Sequence, residues 1–389
     1  MNIILHDLDL HLNFAPLSLT RPIGNLRMGI WTNDERWKLL VDKAQVSYAT
    51  EEYLQEKFPL QVENDNFWIN ASVIPNLEIA DKVTELKVGE ALFVDDVFVA
   101  FRGQEFRLSN AKRIDESIEP FIHITERWHL YQKNEAVLCQ DFECIKVHHD
   151  GFNCSETNTI IGPRENLFID EGAIVEGAII NVSAGPVYVG PNAEIMEGSV
   201  IRGPLAMASH SVLKLSAKVY GATSMGPYCK VGGEVNNVVF QAYSNKGHDG
   251  FLGNSVIGEW CNIGADTNSS NLKNNYGSVK TYDFRSHQME QTDVQFMGLF
   301  MGDHSKTGIN TMLNTATVIG VSSTLFSAGF PPKYVPHFSW GGGKEDPVYE
   351  FDKAVESANN MMVRRSKEIT PGDLRIFKAL YPSDTNGSS

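Results

Sequence analysis

Ile257-Gly258-Glu259-Trp260-Cys261-Asn262-Ile263-Gly264 sets two branched apolar residues six positions apart, each followed by a glycine. The same spacing governs Val189-Gly190-Pro191-Asn192-Ala193-Glu194-Ile195 and carries on to Ile201. Further out, apolar or small residues recur every six positions at Ile161, Leu167, Ala173 and Ile179. They recur again from Phe251 into the quoted stretch, and at Met301, Thr307, Leu313, Ile319 and Leu325, this last run shadowed by Gly302, Gly308 and Gly320. A helix repeats at roughly 3.6 residues and a strand at about 2, so neither produces this period. A coil with three flat sides does. Each side gives one inward residue per six, successive coils stack in register, and Gly, Asn or Asp takes the sharp corners. The expected fold of this part is a left-handed parallel β-helix of hexapeptide repeats.

A chain of 389 residues is too long for one ordinary domain. Residues 1–155 carry mixed α/β punctuation, 156–345 the repeats, and 346–389 a helical tail, which gives three expected units. In the first, Met1–Leu5, Phe67–Ala71, Ala91–Val94 and Val97–Phe101 read as strands, with Asp95-Asp96 as a turn. Thr32-Asn33-Asp34-Glu35 is a capping box that opens a helix expected to run to about Ala44. A solenoid needs its ends covered, and a helix from about Val348 to Lys367 followed by Thr370-Pro371-Gly372-Asp373, an N-cap with proline in the first turn, offers a cover. Pro331–Pro336 is expected to leave the solenoid as an arm.

Several function classes are excluded by composition. The formal net charge is −15 and no basic run exceeds Arg364-Arg365, so neither nucleic acid nor an anionic membrane surface is an expected partner. The five cysteines contain no Cys-x-x-Cys pair, which argues against a disulfide framework or structural zinc. Met1–Asp7 lacks a basic leader, and no apolar stretch reaches membrane-spanning length; the expected location is cytoplasmic.

The segment from Pro16 to Gly29 contains Leu19-Thr20-Arg21-Pro22 and Arg27. It resembles the stretch that follows the glycine-rich nucleotide loop of sugar nucleotidyltransferases. By that resemblance Thr20, Arg21 and Arg27 are nucleotide-binding candidates, since guanidinium groups grip phosphate through two parallel hydrogen bonds. The glycine loop itself is missing, with Leu5-His6-Asp7-Leu8-Asp9 in its place, and Ile23 stands where a lysine usually follows Arg-Pro. The domain either binds nucleotide differently or keeps the fold without the activity. Asp95, Asp96 and Asp141 could hold Mg²⁺ for such chemistry; the plainer reading is that Asp95-Asp96 caps a hairpin and Asp141 a strand end.

Lys246-Gly247-His248-Asp249-Gly250-Phe251-Leu252-Gly253, Ile257-Gly258, Asn262-Ile263-Gly264-Ala265 and Asn271 form a run without gaps. This run resembles the acetyltransferase half of the bifunctional N-acetylglucosamine-1-phosphate uridyltransferase/glucosamine-1-phosphate acetyltransferase family. That family likewise places a nucleotidyltransferase domain before a β-helix. The resemblance implies an acyl-CoA (acetyl-CoA) dependent transfer to a sugar phosphate or nucleotide sugar. It implies His248 as general base, and a nucleophile attacking a thioester needs such a group. Corner N–H groups can stabilise the oxyanion. Glu234, Asn262 and Asn271 match positions that contact sugar or acyl group. Asn236 replaces a phosphate-binding lysine there, and Phe251 a tyrosine that contacts substrate. Asp303, Lys306, Lys333 and Arg364 (or Arg365) are the coenzyme candidates. His304 is a rival base whose plainer role is a corner histidine. Family members are homotrimers with the coenzyme between adjacent β-helices. Two alternatives stay open: a sugar-1-phosphate nucleotidyltransferase that uses the β-helix to trimerise, and a non-catalytic nucleotide-sugar binding protein.

Overall fold

The computed structural model describes residues 1–148, 151, 154–343 and 345–382. Two bodies of secondary structure follow one another. The front one is a six-stranded mixed sheet in the order Gln45–Ala49, Asn2–His6, Asn66–Asn70, Val97–Gly103, Glu90–Val94, Lys112–Glu116. Helices α1 (Asn33–Leu40), α2 (Leu77–Glu85), α3 (His129–Gln132) and α4 (Asn134–His148) accompany it. The capping box at Thr32 and Glu35 forms as expected, but α1 stops at Leu40. Asp95 and Asp96 both take positive φ in the turn between the two hairpin strands, a conformation such acidic turn residues tolerate. Asp141 caps no strand. It sits inside α4, buried, where its carboxylate receives Arg36 Nη2 at 2.6 Å and the Ile30 N–H at 2.8 Å.

The second body is the β-helix. Its first face runs through strands Thr159–Ile161, Ile179–Asn181, Val200–Arg202 and Lys218–Tyr220, then through the first halves of Glu234–Phe240 and Phe251–Ile257. The second face stacks nine strands from Leu167–Ile169 to Tyr334–Val335, and the third nine from Ile174–Val175 to Trp340–Gly341, all parallel. Val189, Ile195, Ile201, Ile257, Ile263, Met301, Leu313, Ile319 and Leu325 all point inward and are buried. The first run of hexads holds at Leu167 and Ala173, which pack against the solenoid interior, and is off by one residue at its two ends. Ile161 and Ile179 face outward, and Ile180 takes the inward place. Register along the first face explains the slip: Thr159, Ile179, Val200 and Lys218 are direct neighbours, so the early coils are longer than three hexads. At Phe251 the same one-residue offset turns the ring outward and Leu252 inward. Tyr334–Val335 pairs with Val318–Ile319, so the proline-rich segment stays in the solenoid and forms no arm.

The front domain lies along the second face. Outward residues Val239, Val256, Phe300 and Val318 belong to the front domain's hydrophobic cluster, separate from the solenoid interior. An excursion after Asn271 carries the hairpin Lys280–Asp283/Gln288–Gln291, in which Tyr282 stacks on Tyr334. Arg127 ties the excursion to the front domain by donating to Thr281 Oγ1 at 2.9 Å.

The corner between the second and third faces is occupied by Asn192, His210, Tyr228, Tyr243, Trp260, His304, Ser322 and Phe338, all at φ between 54° and 60°. Five of these rings stack from coil to coil, with centroid spacings of 4.6, 5.4, 4.1 and 6.3 Å. The tail forms α5 (Phe351–Val363), shorter than expected at both ends, and α6 (Pro371–Leu380) with the expected cap at Thr370. No described helix is long and apolar enough to cross a membrane.

Candidate active site

Four sequence-derived candidates, His248, Asn262, Lys306 and Arg364, meet in a cleft of about 780 Å³ on the third face. Its floor is an outward ladder of Lys230, Asn245, Asn262 and Lys306, direct neighbours on successive strands. At about 4.8 Å per strand the ladder spans ~14 Å. The outer wall is the C-terminal end of α5, with Asn360, Met361, Arg364 and Arg365, and Lys214 extends the floor by one coil.

Among the described residues, five cations and no carboxylate line this cleft, although the whole chain is strongly acidic. Burial, with Arg365, Lys214 and Arg364 adding repulsion, pushes the Lys230 ammonium below its ordinary value. Burial does the same to Lys306. Crowded cations without an internal counter-charge favour an anion arriving from outside.

His248 stands exposed on the corner between the third and first faces. Among the described residues, the amides of Gly247 and His248 donate to no acceptor. Lys246, just before this corner, occupies an inward slot between Val231 and Ile263 in a column whose other members are uncharged. It is buried, and its ammonium donates to the carbonyls of Gly232 at 2.8 Å and His248 at 3.0 Å. The buried cation thus fastens two stacked corners together, and burial lowers its pKa to about 8.

The expected substrate contacts lie around that corner on the first face. Glu234 is in register with Phe251, accepts from Tyr220 Oη at 2.7 Å and has Lys218 at 3.7 Å. Asn236 is in register with Gly253. Asn271 lies against Gly253, where a Cβ would come within 2.5 Å of its amide nitrogen, and donates to Asn254 Oδ1 at 2.7 Å. His248 therefore sits between a cationic cleft on one side and a polar first-face patch on the other.

Other candidates go elsewhere. Arg21 is buried at the junction of the two bodies, donating to Glu259 Oε1 at 2.6 Å and Asp303 Oδ2 at 2.5 Å, while Thr20 Oγ1 donates to the same Asp303 oxygen at 2.8 Å. Asp303 is thereby a docking group outside the cleft lining. Arg27 donates to the Ile30 carbonyl and Glu35, and its backbone exchanges hydrogen bonds with the Gln241 side chain. In this arrangement both arginines are engaged by groups of the same chain. Lys333 reaches Thr315 Oγ1 at 3.5 Å and does not line the cleft. His304 is buried in the ring stack under Phe377, its Nδ1 without a partner among the described residues, and burial drives it to about 3, so it stays neutral. Asp95, Asp96 and Asp141 do not converge: among the described residues no three His, Cys, Asp or Glu side chains are grouped to hold a metal. Asp96 pairs with Arg113 and Asp141 with Arg36.

Sequence reasoning missed Lys214 and Lys230, and quoted Lys246 without giving it a role. Lys230 shares the outward ladder of Asn262 and Lys306, so laying the hexads coil under coil was the signal that could have found it.

Fold and site together define a transferase-like protein: a nucleotidyltransferase-like domain docked along a β-helix of the acetyltransferase kind. Residues 3–150 match the sugar nucleotidyl transferase family profile. The bifunctional protein GlmU of Synechococcus elongatus is 27% identical over 278 residues, covering 68% of this chain and 54% of its own. The chain thus spans about half the length of the curated relatives it matches. The uncharacterized acetyltransferase YaiX of Escherichia coli O6:K15:H31 is 27% identical over 156 residues, 39% of this chain and 66% of its own. Among solved structures, the polySia specific acetyltransferase NeuO aligns with 50% of this chain and 86% of its own at 11% identity and a TM-score of 0.29. Residues 3–150 thus resemble sugar nucleotidyl transferases, and the longer match is a divergent likeness to GlmU.

Proposed function

We propose that the protein transfers an acyl group from acyl-coenzyme A to a sugar phosphate or nucleotide sugar, with His248 as general base. The observation that carries this reading is the cleft: five cations, no carboxylate, and an exposed imidazole at its edge. A donor with several phosphates matches the Lys214, Lys230, Arg364 and Arg365 cluster, and Asn245 and Asn262 offer amides to an extended polar chain laid along the floor. The acceptor enters from the first face, where Glu234, Asn236 and Asn271 present hydrogen-bonding groups.

The acceptor amine or hydroxyl attacks the thioester carbonyl carbon as His248 removes its proton. The oxyanion of the tetrahedral intermediate is met by the free corner amides of Gly247 and His248. The carbon–sulfur bond then breaks and the thiolate takes back a proton. A homotrimer of the family kind is part of the same proposal, as is a cytoplasmic setting.

The test is thiol release from acetyl-CoA with a panel of amino-sugar phosphates and nucleotide sugars, on wild type and His248→Ala. Turnover that falls by about 10²-fold or more in the variant is the expected result. No acyl transfer with any acceptor, together with pyrophosphate-linked turnover of a nucleoside triphosphate, would move the function to the front domain and end this reading.

A further inference from the structure

Two of the five cleft cations, Arg364 and Arg365, are not part of the solenoid; they hang from the end of α5. That helix buries only Ala354, Ala358 and Met362, a narrow footprint for a wall that must stay in place. Its support comes from α6. Asn359 Oδ1 accepts the Ile369 N–H at 3.0 Å and joins the two helices. The start of α6 is pinned to the front domain: Lys57 Nζ meets Asp373 at 2.8 Å, and Gly372 packs so tightly on Lys57 that an added Cβ would sit 3.1 Å from its backbone nitrogen. Arg375 reaches Glu52 at 3.5 Å. Farther along, Phe377 sets its edge on His304 and Phe338, and Leu380 and Tyr381 pack against the front domain's own hydrophobic cluster.

The nucleotidyltransferase-like signature serves the same junction. Thr20 and Arg21 clasp Asp303 and Glu259. Glu259 immediately precedes Trp260, whose ring borders the cleft. The arginine therefore also neutralises Glu259 and Asp303, two carboxylates close to the cleft-lining Trp260.

We propose that the front domain works as a clamp: through Lys57 it holds the tail so that α5 forms the outer wall of the cleft on the same chain. One wall of the site is then supplied by the tail of the same chain. This rests on the reading of the cleft as a polyanion site.

The experiment compares the full-length wild type with Lys57→Glu, which sets a second carboxylate against Asp373, and with Lys57→Arg, which keeps the pair. Two quantities are read: amide hydrogen exchange by mass spectrometry, and affinity for adenosine 3′,5′-bisphosphate by calorimetry. Lys57→Glu should speed exchange in 351–363 and 371–380 by about tenfold or more, leave the strands at 187–263 unchanged and weaken probe binding by about tenfold, while Lys57→Arg stays close to wild type. Unchanged exchange in α5 with unchanged affinity would overturn the clamp, and so would faster exchange everywhere at once. If the wild type fails to bind the probe while α5 still loosens in Lys57→Glu, the clamp stands and the polyanion reading falls.

Discussion

Replacing Lys246 by methionine should change how the protein's stability depends on pH. Lys246 is buried between Val231 and Ile263 and its pKa falls to about 8, from an ordinary 10.5. Below about pH 8 both folded and unfolded chains carry the proton, and the folded state bears the full penalty of the buried charge. The gap between the two values corresponds to ~3 kcal/mol. Above about 8 and below 10.5 the unfolded chain still holds a proton that the folded chain has released, so stability rises with pH across this window. Methionine has nothing to titrate. The unfolding free energy of wild type minus that of Lys246→Met should therefore climb by ~3 kcal/mol from neutral pH to beyond 10.5. At neutral pH the two should lie close together, because methionine escapes the buried-charge penalty but leaves the carbonyls of Gly232 and His248 without their donor, at about 1–3 kcal/mol each. Urea unfolding followed by tryptophan fluorescence at stepped pH reads the difference, and tyrosine and cysteine titrations common to both proteins cancel. A flat difference across the window, or one that falls with pH, would refute the reasoning.

Arg21→Ala leaves Asp303 and Glu259 buried or half-buried without their cation and should lower stability by about 3–5 kcal/mol. In a thermal-denaturation cycle the double variant with Asp303→Asn should lose less than the two single losses added, and strict additivity would show that the clasp is not a unit. Trp260→Ala removes a ring stacked between Tyr243 and His304 and should cost about 3–5 kcal/mol. Trp260→Phe should recover more than half of that in the same calorimetric scan, and a phenylalanine no better than alanine would argue against stacking as the cause.

The solenoid was legible because its period is unlike that of any other regular element, and one clean stretch such as 257–264 is enough to recognise it. The frame slipped at Ile161 and Ile179 because hexads count correctly only while coils keep a constant length, and corner insertions are invisible until coils are stacked. Helix α4 was missed for a different reason. It buries Val137, Leu138, Phe142 and Ile145 against two separate clusters and hides Asp141 inside as the partner of Arg36, so it shows no single apolar stripe. His248 and Asn262 came from one linear run and Lys306 from a separate coenzyme segment, and the cleft brings the three together. Lys214 and Lys230 look like ordinary solvated lysines in sequence and become neighbours of the site only through coil stacking. The partners of Arg21 lie 238 and 282 positions away. No local pattern foretells a contact between domains, so the arginine read as a phosphate ligand.

The ring column at the corner between the second and third faces has a consequence for what the cleft can admit. Each non-glycine residue there holds a left-handed backbone that costs about 1–2 kcal/mol against its preference, and aromatic stacking returns about 0.5–1.5 kcal/mol per contact. Rings that press on one another coil after coil make that edge of the prism a stiff rod, resistant to both compression and bending. Tyr243 and Trp260 belong to this rod and also border the cleft. One bank of the cleft is therefore a fixed ruler with one coil spacing per mark, and an extended molecule of the wrong length would find no give along the axis.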